Sequence, residues 1–533
     1  MIKTYVRKYR IPLLLLGGLL TGLTLVFTQV GILEWITLVP SFAVMLDVCR
    51  DRSVSYKKTY LYGFLLFLSY YVVAFHWFCY MYPLEFAGIS KGAALGVVIV
   101  AWLGLAAFQA ATMAFFAPLA AFAVRGKFVK DITFLHPFIL SAVWTVFEWL
   151  QAHTGYVGVP WARVCMGQTG MLAMIQSASL LGSYFITFAV LTVNGLIAYI
   201  LLDSSRKMTA GIVAGALFFA NLGVGILCLA LPKDESRPLR VAAIQGNVST
   251  SEKWTDGSRE YTKSIYRKLS LEAAKEGADV IVWPETALPY NIDRDDDVRF
   301  FLVNLARECD ATLLVSLFTE EGVSGKLYNS VIAVDSNGNI GQTEYHKINL
   351  VPFGEFVPLH DLVLTVFPPL ADIGMLDGDL LFGEGAQVFE TEHGKISSLI
   401  CFDSIYEGNA LDSVRMGAEL LAVSTNDSWF SDSAAVYMHN AQSQLRAVET
   451  GRYVVRSANT GVSSVISSEG EVIELLPPLV DGYVISDVYL SSSMTLYSLI
   501  GNFFVYMCIG FVGAVALCSP ADSLINRFKR TRS

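Results

Sequence analysis

Residues 278–286 read ADVIVWPET and residues 395–403 read KISSLICFD; each is a short apolar run that ends near a reactive side chain. Such runs, bounded by polar residues, are typical of buried strands. Similar runs in the same half of the chain lie at 239–247, 311–318, 328–335, 419–427 and 452–461. Residues 258–277 and 439–451 have apolar residues at helical spacing. Strands that alternate with helices predict a layered α/β domain over 233–493.

The residues before this domain are predicted to form a helical membrane region. A bilayer core requires about 20 apolar residues per helix. Seven apolar segments precede residue 233 and an eighth follows the α/β domain; they lie near 11–29, 31–48, 60–81, 92–124, 132–150, 171–201, 209–232 and 494–518. We therefore expect a multi-pass membrane domain at 1–232 with seven transmembrane helices, an eighth helix at 494–518, and a basic tail at 519–533.

Lysine and arginine are concentrated in alternate loops of this region. They lie at the N-terminus, after the second, fourth and sixth segments, and in the tail: Lys3, Arg7, Lys8, Arg10, Arg50, Arg52, Lys57, Lys58, Arg125, Lys127, Lys130, Arg206, Lys207 and NRFKRTRS at 526–533. The intervening loops near 82–91 and 151–170 contain few basic residues. Cytoplasmic loops carry the excess of basic residues, so both termini are predicted to be cytoplasmic and 233–493 to lie on the opposite face.

Composition excludes several classes of protein. The 533 residues are 54% hydrophobic and only 16% charged, whereas soluble domains carry about 25% charged residues. A net charge of −9 provides no basic surface for nucleic acid. The eight cysteines form no CxxC pair, which argues against a disulfide scaffold or a zinc site. We therefore predict a membrane protein with no nucleic-acid partner, no metal and no cofactor.

Three strand-end or loop residues make chemical sense together, although each has an ordinary structural explanation when taken alone. They are Glu285 in WPET, Lys347 in YHKINL and Cys401 in LICFD. A cysteine is a good nucleophile only as the thiolate, and a neighbouring carboxylate can take its proton as general base. An ammonium group, together with the backbone N–H of Phe402, can stabilise the oxyanion of a tetrahedral intermediate. Such a set supports acyl transfer through a thioester.

The order of these residues resembles that of the carbon–nitrogen hydrolase (nitrilase) superfamily. Longer motifs resemble one membrane-embedded branch, the apolipoprotein N-acyltransferase family; they are AIQGNVSTSEKW (243–254), HKINLVPFGEFVP (346–358), STNDSWFSDS (424–433) and the run from His439 through ETGRYVVRSANTGVSSVI (449–466). The resemblance covers essentially the whole chain. It implies an α-β-β-α sandwich attached to the membrane helices, with Glu285, Lys347 and Cys401 as the catalytic triad.

The resemblance also implies the reaction. Cys401 would take an acyl chain from a membrane phospholipid, expected to be phosphatidylethanolamine, and pass it to the α-amino group of a diacylglyceryl-cysteine at the N-terminus of an apolipoprotein. The two-step, ping-pong reaction would take place on the periplasmic face of a bacterial inner membrane. The lipid bilayer, the phospholipid donor and the apolipoprotein acceptor are therefore the expected partners.

Further residues match family positions. Glu355 matches a supporting glutamate near the thiol, and Phe402-Asp403 stands where the family usually has Tyr-Glu. The acid is kept but is one methylene shorter, and the phenol hydroxyl is lost. Asn426, Trp429 and Trp254 are expected to line the substrate site, with a packing role as the alternative for each. The apolar segment 356–376 is expected to form a lid toward lipid, or else a buried helix or core loop.

Three alternatives remain open from the sequence. The triad alone also permits a membrane-tethered amidase or nitrilase that acts on small carbon–nitrogen substrates. A transporter or receptor is disfavoured, because the later spans lack the acidic and basic residues common in ion-coupled transport. An inactive homologue is disfavoured because Glu285, Lys347 and Cys401 are all present.

Overall fold

The computed structural model describes residues 2–84, 90–155, 158–203, 205–233, 235–249, 258–322, 324–358, 365 and 379–517. The chain divides into two compact units. One contains Met1–Cys79, Val97–Leu231 and the chain from Ile500 onward. The other contains Tyr80–Gly96 and Pro232–Leu499.

The first unit is helical, as its apolar segments predict. Before the α/β domain, the helices are α1 (Ile2–Lys8), α2 (Arg10–Val26), α3 (Glu34–Thr37), α4 (Val39–Arg50), α5 (Tyr56–Ala74), α6 (Lys91–Met113), α7 (Phe116–Val124), α8 (His136–His153), α9 (Leu172–Ile175), α10 (Ala178–Leu181), α11 (Ser183–Leu202) and α12 (Lys207–Ala230). After the α/β domain, two more helices follow, at Leu496–Ile500 and Phe503–Leu517. The boundary between the two units falls within α6 and within Leu496–Ile500. Short 3₁₀ segments extend several of them, at Thr28–Leu33, His76–Met81, Thr133–Leu135 and Val164–Gln168.

Five of the described helical segments are long and apolar enough to cross a bilayer. They are Thr28–Arg50, Lys91–Val124, Thr133–His153, Ser183–Leu202 and Lys207–Ala230. The bent pair α1 and α2, with an angle of 86°, makes a sixth if it counts as one span. The predicted membrane-helical class is confirmed, with five or six candidate spans instead of about eight.

Several predicted spans are interrupted in the structure. In the segment 60–81, α5 ends at Ala74 and a 3₁₀ segment follows at His76–Met81, and α5 is not among the five candidates. The segment 171–201 breaks at Gly182, whose φ of +80° lies outside helical geometry, so only α11 is long. The last apolar segment divides into Leu496–Ile500 and the 15-residue helix Phe503–Leu517. An apolar run predicts that a segment is buried in lipid or protein, but it does not predict where the helix within that run is interrupted. The sequence marks such a break only by a glycine, here Gly182.

Polar side chains inside the helical unit are held by hydrogen bonds. The buried Glu148 carboxylate accepts from Trp144 Nε1 at 3.1 Å, Val164 N at 3.1 Å and Thr187 Oγ1 at 2.9 Å. A buried polar group without partners would be costly. These bonds join α8 to α11 and to the loop between them.

The second unit is an α/β sandwich. Its described strands are β1 (Pro238–Gln245), β2 (Val280–Val282), β3 (Thr312–Glu320), β4 (Leu327–Val334), β5 (Ile340–His346), β6 (Val388–Thr391), β7 (Gly394–Ile400), β8 (Leu420–Thr425), β9 (Val454–Ala458), β10 (Ser463–Ile466), β11 (Val472–Leu476) and β12 (Gly482–Tyr489). They form two six-stranded sheets, in the orders β12-β1-β2-β3-β4-β5 and β11-β10-β9-β8-β7-β6. The central strands β1, β2 and β3 are parallel, as are β7, β8 and β9.

The two sheets pack face to face and are covered by helices on both outer faces. Residues from both sheets, such as Val241, Val282, Leu420 and Val455, share one buried core between the sheets. Helices Ser258–Lys275 and Asp296–Cys309 cover the first sheet, and helices Glu407–Arg415 and Ala434–Thr450 cover the second. The predicted α-β-β-α class is confirmed.

The strand predictions from the sequence succeed for the apolar strands at the centre of the two sheets, and miss the short β10, which is buried at every position. All seven predicted runs contain a strand, namely β1, β2, β3, β4, β7, β8 and β9. The helix predicted over 439–451 begins earlier, at Ala434, because Ser433 caps it through a bond from Ala435 N at 3.3 Å. The remaining strands were missed; half-exposed β5 and β11 have no continuous apolar run.

Candidate active site

The predicted triad residues follow the carboxyl ends of strands in both sheets. Glu285 follows β2, Lys347 follows β5 and Cys401 follows β7. At this edge the Glu285 amide donates to Thr425 O at 3.4 Å, which joins the two sheets. Strand ends of α/β sheets are where such folds place their ligands. The topology therefore brings together residues that are up to 116 positions apart.

Lys347 is bound to two carboxylates. Its Nζ lies 2.7 Å from Glu285 Oε1 and 2.8 Å from Glu355 Oε2, and its side chain is only 1% exposed. Burial opposes the charge, but Glu285 and Glu355 outweigh it and raise the pKa of Lys347 well above its ordinary value. Lys347 is therefore a fixed ammonium group, which suits a role in stabilising an anion.

Asn329 on β4 binds the carboxylates of both Glu285 and Glu355. Its Nδ2 donates to Glu285 Oε1 at 2.9 Å and to Glu355 Oε1 at 3.0 Å. Glu285 Oε2 accepts from the backbone N–H of Asn426 at 3.1 Å. Glu355 Oε2 also accepts from the backbone N–H of Val351 at 2.8 Å. Glu285 is thus oriented by three separate donors.

Cys401 lies at a sharp turn between β7 and the 3₁₀ segment Cys401–Ile405. Its φ of +49° is a left-handed conformation that costs a non-glycine residue conformational energy. Burial and the Glu285 carboxylate raise the pKa of the Cys401 thiol well above its ordinary value, against the opposing effect of Lys347. The resting group is therefore a thiol, so a nucleophilic attack requires a base to remove its proton.

Asp403 ties the nucleophile turn to the Lys347 loop. Its buried carboxyl accepts from Tyr345 Oη at 2.7 Å, Asn349 N at 2.7 Å and Ile348 N at 3.3 Å, and from Ile400 N at 3.4 Å. Burial raises the pKa of Asp403 to about 7, against these hydrogen bonds. The shortened acid still makes bonds on both sides of the site.

Phe402 and the expected substrate residues have different surroundings. The Phe402 ring meets Tyr406 edge-on at 5.5 Å. Asn426 Oδ1 accepts from Ser428 Oγ at 2.5 Å and from Asn459 Nδ2 at 2.9 Å. The side chain of Asn426 therefore stabilises its own loop, while its backbone N–H orients Glu285. Trp429 is half-buried in that loop.

Two predictions fall on chain outside the described residues. Trp254 lies there, as do 359–364 and 366–378 of the expected lid. At the start of that segment, Phe356 packs in a small cluster with Phe318, Leu350 and Leu380.

A second cluster of polar side chains includes the Cys401 thiol itself. Cys401, Asp427 and His439 offer three potential metal-ligand atoms that lie within 4.8 Å of one another. The Asp427 oxygens are already engaged, by His439 Nδ1 at 2.8 Å and by Arg456 Nη2 at 2.8 Å. A guanidinium group on the carboxylate competes with a cation, so the donor set does not fit a resident metal.

The sequence analysis does not predict the contacts that Asn329 and His439 make here. Asn329 is the one amide within the apolar run YNSVIAVD (328–335), and a polar residue at a buried strand position was the available signal. His439 had only the weak signal of a lone histidine in a helical pattern.

Family models match both parts of the chain. The carbon–nitrogen hydrolase model matches residues 240–495. A model described as the apolipoprotein N-acyltransferase N-terminal domain matches residues 17–196. The matches thus cover the α/β domain and most of the helical region.

Curated relatives align over nearly the full length. A protein of Gloeobacter violaceus named apolipoprotein N-acyltransferase is 31% identical over 507 residues, which is 95% of this chain and 93% of that protein. A protein of the same name from Geobacter metallireducens is 29% identical over 513 residues, or 94% and 93% of the two chains.

Solved structures resemble the chain over about half its length. Saccharomyces cerevisiae Nit3, a member of the nitrilase superfamily, is 18% identical with a TM-score of 0.38, covering 51% of this chain and 96% of that one. An amidase from Nesterenkonia sp. is 18% identical with a TM-score of 0.39, covering 52% and 98%.

Proposed function

Since the chain belongs to the apolipoprotein N-acyltransferase family, we propose that it transfers a fatty acyl chain from a membrane phospholipid to the N-terminus of lipoproteins. The observation that carries the mechanism is the Lys347 ammonium, bound to Glu285 and Glu355 beside the Cys401 turn. This arrangement supplies a base, an anion-stabilising cation and a thiol at one strand edge. The amidase alternative is not favoured, because the relatives that align over the helical region as well carry the N-acyltransferase name.

The first half-reaction loads the enzyme. Glu285 takes the Cys401 proton while the sulfur attacks the ester carbonyl of the phospholipid. The carbonyl oxygen becomes an oxyanion, which Lys347 and the Phe402 amide stabilise. When the intermediate collapses, the glycerol oxygen leaves with the proton from Glu285, and a lysophospholipid departs from the thioester.

The second half-reaction unloads it. The α-amino group of a diacylglyceryl-cysteine attacks the thioester carbonyl and gives a proton to Glu285. Collapse of the intermediate expels the Cys401 sulfur, which recovers the proton as a thiol, and an amide is released. The same residues thus serve both steps of a ping-pong cycle.

Donor and location form part of the proposal. Phosphatidylethanolamine is the proposed acyl donor, and a bacterial inner membrane the proposed site, with both termini cytoplasmic and 233–493 periplasmic. The alternating basic loops support this orientation.

The test is the intact mass of the purified protein after incubation with phosphatidylethanolamine vesicles, beside Cys401→Ala. The proposal expects a hydroxylamine-sensitive gain of one acyl group on the native protein only. A folded native protein that gains no acyl group from several phospholipids would refute it.

A further inference from the structure

Asn459, directly after β9, joins two loops at the strand edge of the active site and has no part in the chemistry above. The residue is 1% exposed. Its side-chain Nδ2 donates to the Val248 carbonyl oxygen at 2.7 Å and to Asn426 Oδ1 at 2.9 Å. Its Oδ1 accepts from the backbone N–H of Val248 at 3.1 Å. One amide therefore binds the chain that follows β1 and the chain that follows β8.

These partners fix which way the Asn459 amide is turned. The backbone N–H of Val248 only donates and its carbonyl only accepts, so Oδ1 faces the first and Nδ2 faces the second. The Tyr266 hydroxyl also donates to Oδ1, at 3.4 Å. One hydrogen of Nδ2 is given to Val248, and the other points to Asn426 Oδ1 and to Ser428 Oγ, which lies 3.2 Å from Nδ2. Every donor and acceptor of this side chain is therefore used.

Asn426 links Asn459 to the general base. Its backbone N–H donates at 3.1 Å to Glu285 Oε2, whereas the other oxygen of that carboxylate binds Lys347. The next residue, Asp427, has a φ of +48°, a left-handed conformation that persists only when the surroundings hold it. The N–H of Asn426 therefore keeps its direction toward Glu285 only while this turn is held.

The neighbouring residues Asn459 and Thr460 supply that support. The backbone carbonyl of Asn426 accepts from the Thr460 backbone N–H at 3.4 Å and from the Thr460 hydroxyl at 3.3 Å. The backbone N–H of Asn459 donates to the Thr425 carbonyl at 3.0 Å. Among these contacts, the bond from Nδ2 to Asn426 Oδ1 depends on the Asn459 side chain, so a substitution at Asn459 isolates it.

We propose that Asn459 is a positioning residue, which holds the Asn426 turn and thereby orients the Glu285 carboxylate. This inference rests on the proposed function, since it takes Glu285 as the general base. A base must lie within hydrogen-bond reach of the proton that it removes, here the proton of the Cys401 thiol. A misplacement of about 1 Å costs up to about 100-fold in rate.

The test measures thioester formation by full-length variants in detergent with phosphatidylethanolamine. Asn459→Ala removes the amide. Asn426→Ala removes its partner side chain but keeps the backbone N–H that donates to Glu285. Asn440→Ala is the matched control, because Asn440 is 5% exposed and its Oδ1 accepts from Ser464 Oγ at 2.7 Å on a helix that covers the second sheet.

Asn459→Ala should form the acyl-enzyme roughly tenfold to a hundredfold more slowly at saturating phospholipid, with the half-saturating phospholipid concentration unchanged. Asn426→Ala should show a loss of the same kind. The double variant should be no slower than the slower single variant, because both substitutions remove one shared bond. Asn440→Ala should stay within about twofold of the native rate.

A folded Asn459→Ala that acylates within twofold of the native protein overturns the inference. Losses that multiply in the double variant, an equal loss in Asn440→Ala, or a change confined to the half-saturating concentration overturn it as well. If Asn459→Ala does not fold, Asn426→Ala decides: a native rate refutes the positioning role, and a slower saturating rate supports it.

A native protein that forms no thioester would refute the proposed function by itself. The positioning role is then decided by alkylation of Cys401 with iodoacetamide, read at that residue by peptide mass, because alkylation requires the thiolate. Slower alkylation in Asn459→Ala than in the native protein and Asn440→Ala supports the role of Asn459, and equal rates overturn it.

Discussion

Replacing Lys347 with methionine should destabilise the protein strongly, because it leaves two buried carboxylates without their cation. The Lys347 side chain is 1% exposed, and its partners Glu285 and Glu355 are 8% and 15% exposed. Removing one partner of a buried ion pair costs about 3–5 kcal/mol. For a domain of this size that corresponds to a fall of roughly 6–20 °C in the unfolding midpoint.

The pH dependence gives a second measure of the same effect. Two facing carboxylates without a cation are relieved when one of them takes up a proton. The Lys347→Met protein should therefore lose more stability between pH 5 and pH 8 than the native protein does. In the native protein Lys347 has a raised pKa, so it stays charged throughout this range.

The assay is thermal unfolding of the full-length protein in detergent at both pH values, with Lys395→Met as the matched control. Lys395 is 49% exposed and pairs with the exposed Glu390 at 3.2 Å, an interaction worth about 0–1 kcal/mol. The reasoning is refuted if Lys347→Met unfolds within about 2 °C of Lys395→Met.

Three further substitutions test the site. Glu285→Gln should keep the fold but slow thioester formation by roughly 10²–10⁴-fold, measured by intact mass; formation at the native rate would contradict its role as base. The pKa of Asp403 is raised to about 7, so its contribution to stability is full below about pH 4 and is lost as pH rises toward 7. Asp403→Asn should lose this slope in unfolding midpoints, and a slope parallel to that of the native protein would argue against it. The pKa of Asp427 is lowered to about 2, so it stabilises the fold above about pH 4 and loses that effect as pH falls to 2. The stability gap between Asp427→Asn and the native protein should therefore close on acidification, and a gap independent of pH would count against the carboxylate.

Much of this architecture could be predicted because its signals are local. Apolar runs of about 20 residues predict membrane helices, and short apolar runs predict the buried central strands. The placement of Glu285 and Cys401 at strand ends follows from the same runs. The order of Glu285, Lys347 and Cys401 along the chain also predicts that these three residues act together.

The tertiary structure decided what links distant parts of the chain. The bond from Asn329 to Glu285 spans 44 residues, and that from the backbone N–H of Asn349 to Asp403 spans 54. The left-handed turn at Cys401 and the break at Gly182 likewise have no periodic signal. A repeating pattern in sequence reports which face of an element is buried; which two buried polar atoms meet depends on how separate elements pack, and only the folded chain determines that.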